Sequence, residues 1–595
     1  MPIARESEAT VHVAELRRPR MELRRTAVRE FPSTDPATDV SFGLLHVLRS
    51  LGVELAFGLT GGALAYFCHA LGQSAIRMIH CRHEGGAAFA ATEAFFASGK
   101  PTVVYTTTGP GLTNAITGLL AARTEGAKVI VISAVTPAAA RGRGACQEST
   151  MNSMLPGLYT AGPLFDYAVM MENPNELATV AARLAAGVSR PGGFVAHVAI
   201  PTDIQSAKVA ELPKVSLKVA ATGCDPELLD ECAAKLTSAP FAIWVGFGAR
   251  EAADSIRTLA ERTGAPVMCS PRGKGIFPEN HPQFLGVTGM GGHQHVTDYL
   301  AQHRPAHILV LGTRLGEPTS YWDEKLLPTE ALIHVDIDPD VPGSAYPRAP
   351  TYAVQAEIGA FVKGLLERMP ERPPAETDHN VAPVSVIQPK PRTAGPVRAA
   401  ALMKALQRQV VDATDALVLA EAGNAFAWTN HLLRFDVPKR YRVSVGTGSM
   451  GHATTGVVGA ALARKGKAVA VVGDGSMLMN SEVSTAVACR VPAVWVVMND
   501  SRYGMVEHGM RALGMAPSAT DIPVTDFAMN ARSMGADGIR VEREEDLDAA
   551  LAQAMAAEGP FVVDVRTDAT EAGPWIKRIE NLILQGASRS RKELT

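Results

Sequence analysis

The sequence predicts an α/β protein built from three doubly wound, parallel-sheet domains. Short apolar runs rich in valine, isoleucine and alanine alternate with helical stretches along most of the chain. Several of these runs end in glycine turns, as at Gly473-Asp474-Gly475. The 595 residues also exceed what one core usually accommodates, so two to four domains are expected. Such alternation predicts helices on both faces of each sheet.

The composition is that of an ordinary soluble enzyme. Lys and Arg total 57 against 60 Asp and Glu, a net charge of −3, so neither nucleic acid nor membrane is an expected partner. Seven scattered cysteines without CxxC spacing indicate neither a disulfide framework nor a zinc site, which favours a reducing, cytoplasmic setting. No apolar run reaches membrane-spanning length, and the start lacks the apolar core of a signal peptide.

An arginine-rich N-terminal extension is predicted over residues 1–38. Its interspersed glutamates argue against an organelle transit peptide. A solvated tail and an arm that packs on a neighbouring subunit are both open interpretations.

The first α/β domain is predicted over residues 39–205. Within it, Glu84 begins a helix of small residues, "EGGAAFAA", which can pack closely and exclude water. A carboxylate in such a dry setting can hold or share a proton near neutrality. A first-turn acid that only matches the helix dipole is the alternative.

A second α/β domain is predicted over residues 220–370, followed by a proline-rich linker at 371–395. Gly246 and Gly248 lie between a strand and a helix, but the third glycine of a dinucleotide fingerprint is missing. A nucleotide site and purely structural glycines both remain open.

The third domain is predicted over residues 396–580, with a basic tail at 581–595. Its central stretch is a strand ending at the glycine turn, a helix, and a second strand that stops before Asp500. The carboxyl ends of a parallel crossover lie side by side, so Asp474 and Asp500 should face one ligand. Glycine backbone N–H groups suit a phosphate and two carboxylates suit Mg²⁺. Aspartates that only cap helices and turns are the alternative.

These motifs carry a family resemblance that spans about residues 38–580. "GDG" followed by "ND-x-x-YGMV" resembles the thiamine-diphosphate and Mg²⁺ signature of the acetolactate synthase-like family. "RHEGGAAFAATEAF", "TTTGPGLTN", "ACQEST" and "GTGSMG" are also similar to stretches of that family. The resemblance implies a pyrimidine-binding first domain, a central domain and a diphosphate-binding third domain.

The resemblance also implies the site residues. Glu84 would hydrogen-bond N1′ of the cofactor's aminopyrimidine and activate it, Gln147 would orient substrate, and Met450 would bend the cofactor. The metal ligands implied are Asp474, Asp500 and the carbonyl of Arg502. The other cofactor contacts implied are Gly423, Asn424, Gly448, Gly473, Gly475, Ser476, Tyr503, Gly504 and Met505.

The implied function is carboligation, in which a 2-keto acid such as pyruvate loses carbon dioxide and its acyl unit joins a second carbonyl compound. Small residues at Gly85, Cys146 and Gly509 suggest an enlarged pocket, which favours the alternative of a lyase or decarboxylase on a larger ketone, diketone or 2-hydroxyacyl substrate. A non-catalytic homologue is a remote third alternative.

The resemblance leaves the central domain open and predicts the assembly. Arg314 and Asp336 match positions that line an FAD or ADP site in the family, whereas Gly291 and Ala356 depart from it. FAD, ADP or no ligand are all compatible with this pattern. Family active sites form between chains, so a homodimer or homotetramer is expected.

Overall fold

The structure is a computed structural model, and it describes residues 38–150, 152, 156–215, 223–369, 392–479 and 481–586. The predicted N-terminal extension up to residue 37, linker residues 371–391 and the final residues 587–595 lie outside the described residues. The described strands form three six-stranded sheets, and the pairings between neighbouring strands are parallel. This architecture confirms the predicted fold class.

The first sheet has the strand order β2-β1-β3-β4-β6-β5. Its strands are β1 Leu55–Gly58, β2 Arg77–His80, β3 Thr102–Thr106, β4 Lys128–Val135, β5 Tyr167–Met170 and β6 Phe194–Pro201. The helices of this domain are α1 Val40–Ser50, α2 Ala65–Gln73, α3 Glu84–Ser98, α4 Pro110–Glu125 and α5 Leu177–Ser189. Strands β3 and β6 are buried along their whole length, because helices cover both faces.

The central sheet has the order β12-β11-β10-β7-β8-β9. Its strands are β7 Phe241–Val245, β8 Val267–Cys269, β9 Phe284–Val287, β10 His307–Leu311, β11 Ala331–Asp336 and β12 Thr351–Gln355. The accompanying helices are α6 Pro226–Ser238, α7 Ala253–Thr263, α8 Gln294–His303, α9 Glu317–Ser320 and α10 Ile358–Arg368.

The third sheet has the order β14-β13-β15-β16-β18-β17, which repeats the pattern of the first sheet. Its strands are β13 Leu417–Ala420, β14 Tyr441–Val443, β15 Ala468–Gly473, β16 Ala493–Asn499, β17 Asp537–Val541 and β18 Phe561–Arg566. The helices are α11 Ala399–Leu406, α12 Asn424–Leu432, α13 His452–Arg464, α14 Asp474–Leu478, α15 Glu482–Cys489, α16 Gly504–Ala512, α17 Phe527–Ser533, α18 Leu547–Ala556 and α19 Ile576–Leu584. Helix α19 continues past residue 580, where the sequence suggested that the domain ends.

Helices α3 and α13 join the first and third domains through a shared apolar core. Their glycines and alanines allow the two backbones to approach closely. A Cβ atom built on Gly459 would lie 1.9 Å from the carbonyl oxygen of Ala90, and one on Gly456 would lie 2.7 Å from Cγ of Glu93. The small residues that the sequence places after Glu84 therefore serve a helix contact between domains.

A buried group of charges lies where all three domains meet. Arg442 donates two hydrogen bonds to Glu93, from Nε at 2.9 Å and Nη2 at 2.7 Å. His452 Nε2 lies 2.8 Å from Glu93 Oε1, and Arg272 of the central domain pairs with Glu125 at 3.0 Å. Burial by itself would raise the pKa of Glu93, but Arg442 and His452 hold it well below its usual range. These ion pairs connect the domains in a buried setting.

None of the helices in the described part of the chain is long and apolar enough to cross a membrane.

Candidate active site

The two aspartates singled out in the third domain lie at adjacent strand ends, as the crossover predicts. Gly473 at the end of β15 pairs in register with Met498 of β16. Asp474 Oδ1 accepts the N–H of Gly475 at 2.7 Å, and its Oδ2 accepts the N–H of Ser501 at 2.7 Å. One carboxylate thus ties the two loops together beside Asp500.

These loops border a cavity of about 170 Å³. Met450 and most of the residues implied as cofactor contacts line it. The lining residues among them are Gly423, Asn424, Met450, Gly473, Asp474, Gly475, Ser476, Asp500, Arg502, Tyr503, Gly504 and Met505. Gly448, Glu84 and Gln147 are not part of this lining. Within the described chain, the cavity is lined by third-domain residues alone.

The cavity gathers negative charge that a cation would balance. Burial and the neighbouring Asp474 raise the pKa of Asp500 to about 7. Burial raises the pKa of Asp474 to about 6. Two carboxylates in a half-buried site favour a divalent ion with oxygen ligands. The carbonyl of Arg502 already accepts the N–H of Gly504 at 2.9 Å, and a carbonyl oxygen has a second lone pair for a metal.

The described residues include no cluster of three or more histidine, cysteine, aspartate or glutamate side chains suited to a metal. Two carboxylates and one carbonyl leave the remaining positions of an octahedral ion to water and phosphate oxygens. This donor set fits Mg²⁺, which commonly bridges protein carboxylates and a diphosphate.

Glycines and the start of helix α12 form the side of the cavity that would suit a phosphate. Gly423 has a φ of 95°, which favours glycine, and no atom lies within 4 Å of where its Cβ would be. Helix α12 begins at the next residue, so its N–H groups and positive end face the cavity. A Cβ on Gly475 would lie 2.5 Å from the ring of Tyr503. These residues fit a diphosphate held against backbone.

Met450 is a cavity residue, and its side chain is 39% exposed. An exposed methionine at a cavity wall does not serve as core filler. Gly448, two residues earlier, has a φ of 57°, which turns the chain before Met450.

Glu84 and Gln147 form a separate group in the first domain. Glu84 is the first residue of α3 and is 7% exposed, and Asn114 Nδ2 donates to its Oε2 at 3.1 Å. Gln147 has a φ of 54°, and its Oε1 accepts a hydrogen bond from Thr108 at 3.2 Å. Because Thr108 and Asn114 flank the start of α4, that helix connects the two groups.

Of the small residues expected to enlarge the pocket, Gly85 is the one that the structure contradicts. A Cβ on Gly85 would lie 3.0 Å from His83 Nδ1 and 3.1 Å from the carbonyl oxygen of Asn114, so the chain already fills that space. Beside Gly509, the Cδ1 atom of Ile579 from helix α19 lies 3.6 Å from a built Cβ. Gly85 therefore leaves no free space, whereas Gly509 has room for a Cβ in ordinary van der Waals contact, and neither glycine lines the cavity.

The central glycines have a packing role. A Cβ on Gly246 would lie 2.5 Å from the carbonyl oxygen of Gly312, and one on Gly248 would lie 2.9 Å from the Cα of Gly312. A Cβ on Gly291 would lie 2.2 Å from the carbonyl oxygen of Ala427, so no side chain fits there. These contacts support structural glycines over a nucleotide cradle.

Sequence reasoning missed one wall of the cavity. Thr567, Asp568 and Glu571 line it after β18, which pairs with β16. The rule that places strand ends at one sheet edge, which identified Asp500, applies equally to this strand. Trp575 was also missed, and its Nε1 donates to Asn424 Oδ1 at 2.9 Å.

Comparison with known proteins identifies relatives of similar length. The chain is 30% identical over 542 residues to the acetolactate synthase isozyme 1 large subunit of Escherichia coli, covering 89% of this chain and 94% of that relative. It is 28% identical over 562 residues to the isozyme 2 large subunit, covering 92% and 98%. An X-ray structure of a proposed thiamin diphosphate-dependent enzyme from Mycobacterium smegmatis shares the fold, with a TM-score of 0.77 and 22% identity over 89% of this chain and 99% of that one.

Three family models match the three domains. The thiamine pyrophosphate enzyme N-terminal TPP binding domain matches residues 38–154, the central domain 230–365 and the C-terminal TPP binding domain 421–565. Together with the sheets and the cavity, these matches define a thiamine-diphosphate-dependent enzyme. Within that class, the chain belongs to the acetolactate synthase-like family, and it is a carboligating enzyme.

Proposed function

We propose that this enzyme removes carbon dioxide from a 2-keto acid such as pyruvate and joins the remaining acyl unit to a second carbonyl compound. The observation that carries the proposal is the third-domain cavity, which brings the aspartate pair, the glycine turns and Met450 together. The names of the relatives, acetolactate synthase large subunits, support pyruvate as the donor.

The residues of the cavity would hold the cofactor and its ion. Asp474, Asp500 and the carbonyl of Arg502 would bind Mg²⁺, and the turn at Gly423 with the start of α12 would bind the diphosphate. Met450 would hold the cofactor in its bent form. Thiamine diphosphate, when bound, supplies the nucleophilic carbon and the electron sink that decarboxylation needs.

Glu84 would form a hydrogen bond with N1′ of the aminopyrimidine ring and share a proton with it. Asn114 fixes its Oε2, and its Oε1 lies on the side of Gly111, where a built Cβ would be 3.5 Å away. Gln147 would donate from its amide to a substrate carbonyl or carboxylate, because Thr108 orients its side chain. These roles need no other ionisable side chain of the chain.

A complete site requires a second chain in this proposal. Glu84 lies in the first domain, whereas the cavity that would bind the diphosphate is lined by the third. Exposed apolar side chains surround that cavity, including Tyr503 at 38% and Val506 at 51%. We therefore propose a homodimer or homotetramer in which Glu84 of one chain serves the cavity of another, as in the family. The free state of all seven cysteines supports a cytoplasmic setting.

The larger-substrate lyase loses part of its support, because the space beside Gly85 is filled by His83 and Asn114. Of the three small residues, Cys146 alone is exposed to solvent. The retained Glu84, Asp474 and Asp500 disfavour a non-catalytic homologue.

The proposal is tested by a carbon-13 NMR time course with labelled pyruvate and protein loaded with Mg²⁺ and thiamine diphosphate. Labelled acetolactate or acetoin is expected. Unchanged pyruvate, with cofactor binding demonstrated, would remove pyruvate as donor. The Glu84→Gln variant tests whether Glu84 activates the cofactor. We expect this variant to bind the cofactor but to have a turnover rate lower by about 100-fold or more.

A further inference from the structure

Helix α16 presents a buried carboxylate to the loop that would bind the metal. Glu507 is 4% exposed, and each of its oxygens accepts a hydrogen bond from Arg502 Nη1 at 3.0 Å. Oε1 also accepts from Arg511, at 3.2 Å from Nε and 2.8 Å from Nη2. Neither the family resemblance nor the cavity lining assigns Glu507 a role.

Arg502 is an unusual neighbour for a cation site. Its carbonyl is a proposed metal ligand, the residue lines the same cavity as Asp474 and Asp500, and its guanidinium carries a positive charge. A positive side chain two residues after Asp500 can reach the carboxylates that would bind the ion, because an arginine side chain is long and flexible.

The backbone of this loop is anchored independently of Glu507. Tyr503 N–H donates to the carbonyl of Thr520 at 2.8 Å, and Ile522 N–H donates to the carbonyl of Ser501 at 2.8 Å. The Arg502 side chain, in contrast, has Nε buried without a hydrogen-bond partner among the described residues. Glu507 is the one carboxylate that forms an ion pair with Arg502 in the described chain. If that pair were lost, the guanidinium would turn towards the next available carboxylates.

We propose that Glu507 is a positioning residue, which holds the Arg502 guanidinium away from Asp474 and Asp500 and keeps both carboxylates free for a divalent ion. A guanidinium forms bidentate pairs with carboxylates and would compete for the same oxygens. Arg511 contributes less, because its side chain is 61% exposed and such pairs are weak. This inference rests on the proposed Mg²⁺ site.

The test measures the Mg²⁺ concentration that gives half-maximal cofactor binding at fixed thiamine diphosphate. Intrinsic fluorescence is a suitable signal, since Trp428 lines the cavity. For Glu507→Gln we expect this midpoint to rise about 10- to 100-fold, the usual effect of losing a residue that supports metal ligands. The matched control is Glu545→Gln, because Glu545 forms an exposed pair with Arg543 far from the loop in the sequence, and we expect no change.

The double variant Arg502→Met/Glu507→Gln decides the mechanism. It removes the competing guanidinium and keeps the backbone carbonyl, so the midpoint should return most of the way to the wild-type value. If the double variant has a Mg²⁺ midpoint as high as that of Glu507→Gln alone, the proposal is overturned, since Glu507 would then act only through packing. An unchanged midpoint in Glu507→Gln would also overturn it. A wild-type protein without Mg²⁺-dependent cofactor binding would instead refute the proposed metal site itself.

Discussion

Asp474 and Asp500 are held in a setting where their charged forms are unfavourable without a cation. Burial raises both pKa values, to about 6 and about 7, against an ordinary value of 3.8. Between about pH 4 and 7 the folded protein therefore binds more protons than the unfolded chain. By linkage, these two groups make the metal-free protein less stable as the pH rises through that window. A divalent ion bound by both carboxylates should remove this penalty.

We predict that Mg²⁺ and thiamine diphosphate stabilise the protein much more at pH 7.5 than at pH 5. The reason is that the ion must displace protons from the two carboxylates at the lower pH. Thermal unfolding at the two pH values, with and without the ligands, measures the effect. In the metal-free Asp500→Asn variant, the unfolding temperature should depend less on pH than in the wild-type protein. Equal stabilisation of the wild-type protein at both pH values would contradict the raised pKa values.

At the residue scale, the sequence predicts site residues that short motifs mark. It does not predict contacts made by residues from distant parts of the chain. Asp474 and Asp500 could be found because glycine turns and strand ends mark them locally. Gly85 suggested empty space, whereas His83 occupies it, and the side chain of Ile579 lies beside Gly509. For Gly509, no local pattern indicates that a helix 70 residues later packs there.

The contact between helices α3 and α13 shows what small residues do at the scale of elements. Gly459 faces the carbonyl of Ala90 so closely that no side chain fits. In the sequence, the small residues of α3 indicate a dry setting for Glu84, but no nearby residue identifies α13 as the partner helix. Periodicity reveals that one face of α3 consists of small residues. The partner helix is about 370 residues away in the sequence, and the contact depends on how the two domains pack together.

We predict that Gly459→Ala destabilises the protein by about 1–3 kcal/mol, because the added methyl group forces the two helices apart. Urea unfolding measures the change. The matched control is Gly466→Ala, two residues after the end of the same helix, where a built Cβ lies 3.6 Å from the Arg464 side chain and meets no backbone. If both variants have the same stability as the wild-type protein, the contact is not as tight as the distances indicate.

At the scale of the whole molecule, buried charges bind the three domains to one another. Arg442 of the third domain lies 2.7 Å from Glu93, and it lies 3.9 Å from Glu125, which also pairs with Arg272 of the central domain.

Arg442→Met would leave Glu93 buried without its arginine, at a cost of about 3–5 kcal/mol of stability. Unfolding by denaturant tests this, with Arg543→Met in an exposed pair as the control, expected to change stability by less than about 0.5 kcal/mol. A similar small change in Arg442→Met would show that the pairs are dispensable.

The three sheets and their strand directions could be predicted because each strand, turn and helix is marked within a few residues. The relation between domains could not, since it depends on pairs such as Glu482, which accepts the N–H groups of Arg82 and His83 from about 400 positions away. That contact places the start of α3 against α15 of the same chain. The turn before Glu84 is therefore held by the same chain's third domain, although Glu84 does not line that domain's cavity.

This arrangement makes an assembly prediction that does not depend on the substrate. If Glu84 of one chain serves the cavity of another, Glu84→Gln and Asp474→Ala disable different halves of each site, since Asp474 lines the cavity. Co-expression with two affinity tags would isolate hybrid assemblies of the two inactive variants. In a hybrid dimer one site receives both substitutions and the other receives neither, so up to about half of the wild-type activity should return. Hybrids as inactive as either parent would mean that each chain builds its own site.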